Sequence, residues 1–287
     1  MASDATATKG NGHDVPNAVA LAALDPEAFA AQVPAVLSSV RDKIFGEVRS
    51  GERPHPESLV IRDRASEPLT VVAIASTIRP PLMDKQAGLL AWTTFYEVLA
   101  KLPYEDLHPH RPALELLSTA KSDDEYYGAE ALRHSAKELI RFIDEPEAVW
   151  VPAHKGDYIG ERSINDRVKT AEEMKPHMLG LAEWLGDGNW PPFHGCWKQL
   201  ARFPEAAVGT IRTVIERERG DGGWVLNLLE FVDEVVPIGP AWEEVRPVVQ
   251  ALVDEPKGDE DEWELKQRGE AWLKKLNEWK ESQAKEA

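Results

Sequence analysis

The sequence predicts an all-α protein in two halves, an N-terminal helical half followed by a C-terminal array of α-hairpins. Three observations predict it. Apolar residues recur at three- and four-residue spacing along most of the chain, the pattern of amphipathic helices. Glycine or proline closes nearly every such stripe. In the C-terminal half the stripes repeat. Val208, Ile211 and Ile215 map onto Trp242, Val245 and Val249 at an offset of 34 residues, and Phe193, Trp197 and Leu200 map onto Val225, Leu229 and Val232 at an offset of 32. A repeated two-helix unit of that length reads as a stacked α-hairpin array, with a plain helical bundle as the alternative.

Taken in order, residues 1–20 read as a disordered tail. Asp25-Pro26 opens a helix, Asp as cap and Pro in the first turn. Its stripe is Phe29, Val33, Val36, Val40 and Ile44, and Pro34 should break or kink it. Residues 50–68, with prolines at 54, 56 and 68, read as a loop. The apolar run 69–78 fits a buried strand or a buried helix, and the lack of a partner strand favours the helix. Leu89/Trp92/Tyr96/Leu99 and Leu132/Ser135/Leu139/Ile143 are two more stripes, with a short helix near Pro112–Thr119 between them. This gives an N-terminal helical domain over residues 21–148.

A long irregular stretch follows, read as a linker over residues 149–168, because loops of that length inside a domain are uncommon. From 169 to 287 the pattern is clean. Met174/Met178/Leu181/Leu185, Phe193/Cys196/Trp197/Leu200, Val208/Ile211/Ile215, Val225/Leu228/Leu229/Val232 and Trp242/Val245/Val249/Leu252 each end at glycine or proline. The last segment, Asp261 to Glu286, reads as a charged capping helix. Its stripe is Leu265, Trp272, Leu276 and Trp279, with i,i+4 pairs Glu262–Lys266, Glu264–Arg268 and Glu270–Lys274.

The most distinctive string is Trp184-Leu185-Gly186-Asp187-Gly188-Asn189-Trp190-Pro191. Physically it is a helix-to-helix turn: glycines for the left-handed exit, Asp187 or Asn189 as cap, proline in the next first turn. The string resembles the core of a domain-of-unknown-function family, number 5071, and the likeness continues through Gly223-Trp224-Val225-Leu226, Leu228-Leu229 and the acidic, Trp-containing last helix. It covers about residues 170–275. The resemblance implies a HEAT-like helical fold and brings no activity with it.

Composition excludes several classes. The chain has 33 Lys+Arg against 50 Asp+Glu, a net charge of −17. That argues against nucleic acid or an anionic membrane as a direct partner. The charge is uneven: 20 acids and 15 bases lie in residues 1–143, and 30 and 18 in residues 144–287. Eight of the ten tryptophans lie at or after Trp184. One cysteine, Cys196, permits no internal disulfide and no multi-cysteine metal site, and fits a reducing, cytoplasmic setting. No apolar leader or spanning segment is visible.

No P-loop, dinucleotide fingerprint, G-x-S-x-G or H-E-x-x-H is present. Cys196 lies on an apolar stripe with His194 on the opposite side of the helix, so an inert core thiol is expected. His108-Pro109-His110 reads as two exposed loop histidines rather than a metal site. The acids at 259–262 and Glu243-Glu244 lack calcium-loop spacing and read as a solvated face. No metal, cofactor or catalytic residue is assigned. The leading expectation is a non-catalytic scaffold or adaptor that binds a basic protein through an acidic, Trp-rich surface, with Trp184, Asp187, Asn189, Trp190 and Trp224 as candidate contacts. One alternative is a hydrolase or small-ligand-binding protein using the 149–166 loop through His154, Asp157, Tyr158 and Arg162. The other is an acidic inhibitor of a basic protein.

Overall fold

The computed structural model describes residues 15–45, 55–80, 82, 84–119 and 128–286. Among the described residues every regular element is a helix, so the protein is all-α. No helix among them is long and apolar enough to cross a membrane. The chain divides into two compact units, with the boundary between Asp144 and Glu145.

In the first unit, α1 (Ala18–Ala22) starts at Asn17, whose side chain accepts the Ala20 N–H. The expected tail therefore stops short of residue 20, and its residues 1–14 lie outside the described residues. Next, α2 (Pro26–Phe45) buries Phe29, Val33, Val36, Val40 and Ile44 as its stripe predicts. It runs through Pro34 without a break, because burial of Val33, Val36 and Leu37 holds a helix that propensity alone would open. The expected loop at 50–68 is largely helical. Residues 50–54 lie outside the described set, while α3 (Pro56–Asp63) and α4 (Pro68–Thr77) each begin on a proline. At the first helical position the missing N–H is not needed, so these prolines start helices instead of marking a loop.

Then α5 (Lys85–Glu97) is capped by Asp84. Its most buried face is Gly88, Ala91 and Phe95, next to the expected stripe, and Trp92 and Tyr96 form a half-buried flank with ring centroids 4.6 Å apart. A 3-10 turn, α6 (Tyr104–Leu107) and a second 3-10 turn (His108–His110) lead into α7 (Arg111–Thr119) and α8 (Ala129–Asp144), which pack together. The expected stripe of α8 is buried in full. His110 corrects the exposed-histidine reading: His108 is exposed, but His110 has no accessible surface. Burial pushes its pKa down to about 4, against the upward pull of the Ala65 backbone and the Asp106 charge.

The second unit begins with an extended stretch and α9 (Tyr158–Arg167), where a linker was expected. Its further helices are α10 (Ala171–Glu183), α11 (Phe193–Ala201), α12 (Pro204–Arg217), α13 (Gly222–Val235), α14 (Pro240–Asp254) and α15 (Leu265–Glu286). Along the chain α10 packs on α12, α12 on α14, and α14 on α15, while α11 touches α9 and α10, and α13 touches α12. The predicted stripes of α10, α12, α13 and α14 are all buried. The last helix starts four residues later than expected, at Leu265, so Glu262 and Glu264 precede it. Its bases pair across to neighbouring helices: Arg268 with Glu230, Lys275 with Asp233, and Lys280 with Glu243. Trp272 stacks on Trp242 of α14 with centroids 4.5 Å apart and planes 7° from parallel. Gly269 lets the two helices approach, since a Cβ there would lie 2.9 Å from Val253. The stripe of α15 thus covers the end of the core.

Candidate functional site

The turn after α10 differs from its sequence reading: neither Gly186 nor Gly188 takes a positive φ, and α11 starts at Phe193 behind Pro192 with no side-chain cap, so Asp187 and Asn189 shape the turn itself and do not cap the next helix. A capping box of Thr170 and Glu173 starts α10, and a 3-10 turn (Trp184–Gly186) ends it. The Asp187 carboxylate accepts the N–H of Asn189 at 2.8 Å and its side-chain amide at 3.0 Å, closing an Asx turn. Trp184 and Trp190 meet edge to face at 5.5 Å. Trp184 donates its indole N–H to the Pro152 carbonyl, 2.7 Å away. Lys155 places its ammonium 4.8 Å from the Trp190 ring centre. Trp224 lies against Gly186, where a Cβ would come within 3.2 Å of the ring. As candidate contacts, Trp190 and Trp224 would need exposed rings, while Trp184 and Trp190 were also expected to pack over the turn. All three are half-buried, with their broad faces packed where α10, α11 and α13 meet. Of the five candidates, Asn189 alone is exposed.

The 149–166 segment is a short strap followed by a helix. Asp157, with 1 % of its surface exposed, is the N-cap of α9: one carboxylate oxygen accepts Gly160 N–H at 2.7 Å and the other accepts Ala153 N–H at 3.0 Å. The Ser163 hydroxyl accepts the Trp150 N–H at 3.0 Å, tying the strap to the helix. His154 accepts the Gly156 N–H at 3.2 Å through Nδ1, Arg162 pairs with Asp166 at 3.1 Å, and Tyr158 is exposed. Arg202, the C-cap of α11, grips the far end of α9 through the carbonyls of Ile164 and Val168. Within α11, Cys196 is fully buried, and burial raises its thiol pKa, with the Glu161 and Asp157 charges adding to the rise. The core-thiol expectation holds. Burial also raises the Glu161 carboxyl, against the charge of Lys198.

A third feature was not anticipated. The acids at 259–262 were expected to be a solvated face, but Glu260 has no exposed surface. It forms a bidentate pair with Arg219, at 2.7 and 2.9 Å, and accepts the N–H groups of Gly220 and Lys257 at 2.9 and 2.7 Å. Burial pushes its pKa up, but Arg219 and these two N–H groups outweigh burial and hold it below the usual range. The pair clamps the 255–264 turn onto the turn between α12 and α13. Gly258, at φ +51°, fits there because a Cβ would lie 2.1 Å from the Gly220 carbonyl oxygen.

The clamp presents Trp263. Its ring lies over Gly222 and Gly223, where added Cβ atoms would come within 2.5 and 3.3 Å of it, and its N–H reaches Asp259 at 3.2 Å. The other face is open, with 45 % of the residue exposed. Around it Asp221, Asp261, Glu262 and Glu264 are exposed. The run Gly220-Asp221-Gly222-Gly223 reads in the sequence as the turn that ends the Val208/Ile211/Ile215 stripe, and gives no sign of seating an aromatic ring.

No curated protein and no solved structure matches the chain. Residues 150–273, from the strap before α9 into α15, match the family described as Domain of unknown function (DUF5071), the family that the Trp184–Pro191 turn resembles.

Proposed function

We propose that this protein is a non-catalytic scaffold or adaptor. On this reading its C-terminal unit is a HEAT-like α-hairpin array that docks a basic segment of another cytoplasmic protein. The observation that supports it is Trp263. The ring is fixed on glycine backbone with its outer face open, so it loses little conformational freedom on binding. The acids around it suit Lys or Arg side chains laid over the indole. The turn at Trp184–Trp190 is then the frame of the array, and the anchor moves to the clamp at its acidic end.

The test is affinity purification with the full chain and with Trp263→Ala, at low and at moderate salt. The half-exposed ring is not part of the core, so the variant should keep its thermal unfolding. Basic proteins captured by the wild type should be lost from the variant, and the captured set should shrink as salt rises. Equal capture by both baits would remove Trp263 as the anchor.

A further inference from the structure

We propose that the first unit carries a second, independent docking site: a groove between α4, α7 and α8 that takes an amphipathic helix with acidic flanks from another protein. The helix α4 carries apolar residues on both its inward and its outward face. Thr70, Ile74 and Thr77 face inward and are buried, while Val72 on the far side is 66 % exposed. The helix α7 does the same, burying Leu114 and Leu117 and leaving Leu116 55 % exposed. The outward faces, Val71, Val72 and Ala75 of α4 and Pro112, Ala113 and Leu116 of α7, wall a cavity of about 480 Å³. Pro112 and Leu116 also wall a second hollow of about 660 Å³, closed on its other side by Lys137 and Ile140 of α8. Leu116 is the ridge between the two. Large apolar side chains exposed side by side over such a hollow mark an interaction surface.

The polar groups decide the occupant. Ser76 and Ser118 donate to carbonyls of their own helices, Ala73 and Glu115. The groove therefore offers few convergent polar groups to orient a small molecule. Apolar hollows flanking a ridge suit the i, i+3, i+7 side chains of a helix. The rim supplies the charge. Glu115 is paired at 2.9 Å with Arg111, which it shares with Asp144 at 2.8 Å, whereas Arg79 and Lys137 are exposed and form no ion pair among the described residues. Arg79 and Lys137, without an ion pair among the described residues, bound this groove on a chain whose net charge is −17, so the complementary helix carries carboxylates beside its apolar stripe. The residues outside the described set include only Met1, Val48, Met83, Tyr126 and Tyr127 as large apolar or aromatic side chains, too few and too scattered for such a stripe.

The experiment uses the full chain and three labelled synthetic helical peptides: one with a leucine stripe flanked by Glu, one with the same stripe flanked by Lys, and one with Glu flanks and a scrambled stripe. Fluorescence anisotropy should show the Glu-flanked peptide binding at least tenfold tighter than the other two. Val72→Gln with Leu116→Gln should weaken it at least tenfold while leaving thermal unfolding unchanged. Arg79→Glu with Lys137→Glu should abolish the preference for Glu over Lys, and Trp263→Ala should change nothing. Absence of binding to the Glu-flanked peptide, or equal binding of all three, overturns the proposal. So does self-association of the chain lost in the Gln variant, which assigns the face to a second copy. Adhesion to anionic vesicles lost in that variant assigns it to a membrane and overturns the proposal equally.

Discussion

The two units are made of the same element and finish their surfaces differently. In the first, α4 and α7 each carry apolar residues on both sides, and only one side is covered. In the second, loops are fixed by charged side chains on backbone: Asp157 on the strap, Asp187 in its Asx turn, Glu260 and Arg219 in the clamp. Their buried ion pairs show the same contrast. Glu97 of the first unit meets Arg62 at 3.7 Å and half-exposed Lys101 at 3.1 Å, a loose triad. Glu260 of the second meets Arg219 through two oxygens and two backbone N–H groups. The second unit is also the one the family match covers. The comparison teaches that burial of a charge specifies a turn only where every lone pair finds a donor.

The largest expected effect breaks that clamp. Arg219→Ala leaves the Glu260 carboxylate buried beside two N–H groups without its cation, and removing one partner of a buried pair costs about 3–5 kcal/mol. Arg62→Ala should cost less, because Lys101 still reaches Glu97. Urea unfolding of both variants, with hydrogen exchange to localise the loss, tests the contrast. Replacing both members of the clamp, Arg219→Met with Glu260→Leu, should recover only the part due to the unpaired charge, since leucine leaves the Gly220 and Lys257 N–H groups without their acceptor. If Arg62→Ala proves the more damaging, the tight clamp is not what distinguishes the second unit.

Acid should separate the units next. In the unfolded chain His110 takes its proton near 6.5, but in the fold it does so only at about 4. Protons therefore favour the unfolded state between those values: His110 costs nothing above pH 6.5, and stability is lost as pH falls from 6.5 toward 4. At about 1.4 kcal/mol per pH unit the ceiling is roughly 3 kcal/mol. Glu260 works in a lower window. Its folded pKa lies below the unfolded carboxylate value of about 4.3, so its contribution is present above that pH and is lost as pH falls through the folded value. The first unit should loosen first on acidification, and His110→Leu should flatten its stability between pH 6.5 and 4. An unchanged slope in that variant would mean that another group sets it.

What the sequence disclosed follows from what periodicity records. Every stripe that faces one core appears as a run of three- and four-residue spacings, so α2, α8 and the helices from α10 to α14 were readable. Prolines misled at Pro56 and Pro68, since the same residue that ends a helix also starts one. The helix α9 was hidden because its sequence, YIGERSINDR, buries little beyond Ile159 and Ile164. Glu260 looked solvated because its partner stands 41 residues away in sequence. Trp263 went unremarked because the glycines that seat it read as a turn until the 255–264 segment is folded back over them. Pairings between distant turns leave no local pattern.

The smallest effect sharpens the contrast at the strap. Asp157 accepts one N–H from α9 and one from the strap, so Asp157→Ala removes a cap and leaves two N–H groups seeking water, at a cost of about 1 kcal/mol. Asp157→Asn keeps one oxygen for Gly160 and turns an amide nitrogen toward Ala153, which has only an N–H to offer. Asn should therefore recover the helix cap while the strap stays loose. Chemical denaturation should rank wild type, Asn and Ala in that order, and faster hydrogen exchange in the Asn variant should be confined to the Trp150–Gly156 strap. Protection of the strap equal to wild type would show that Ser163 and Trp184, and not the carboxylate, hold it to the second unit.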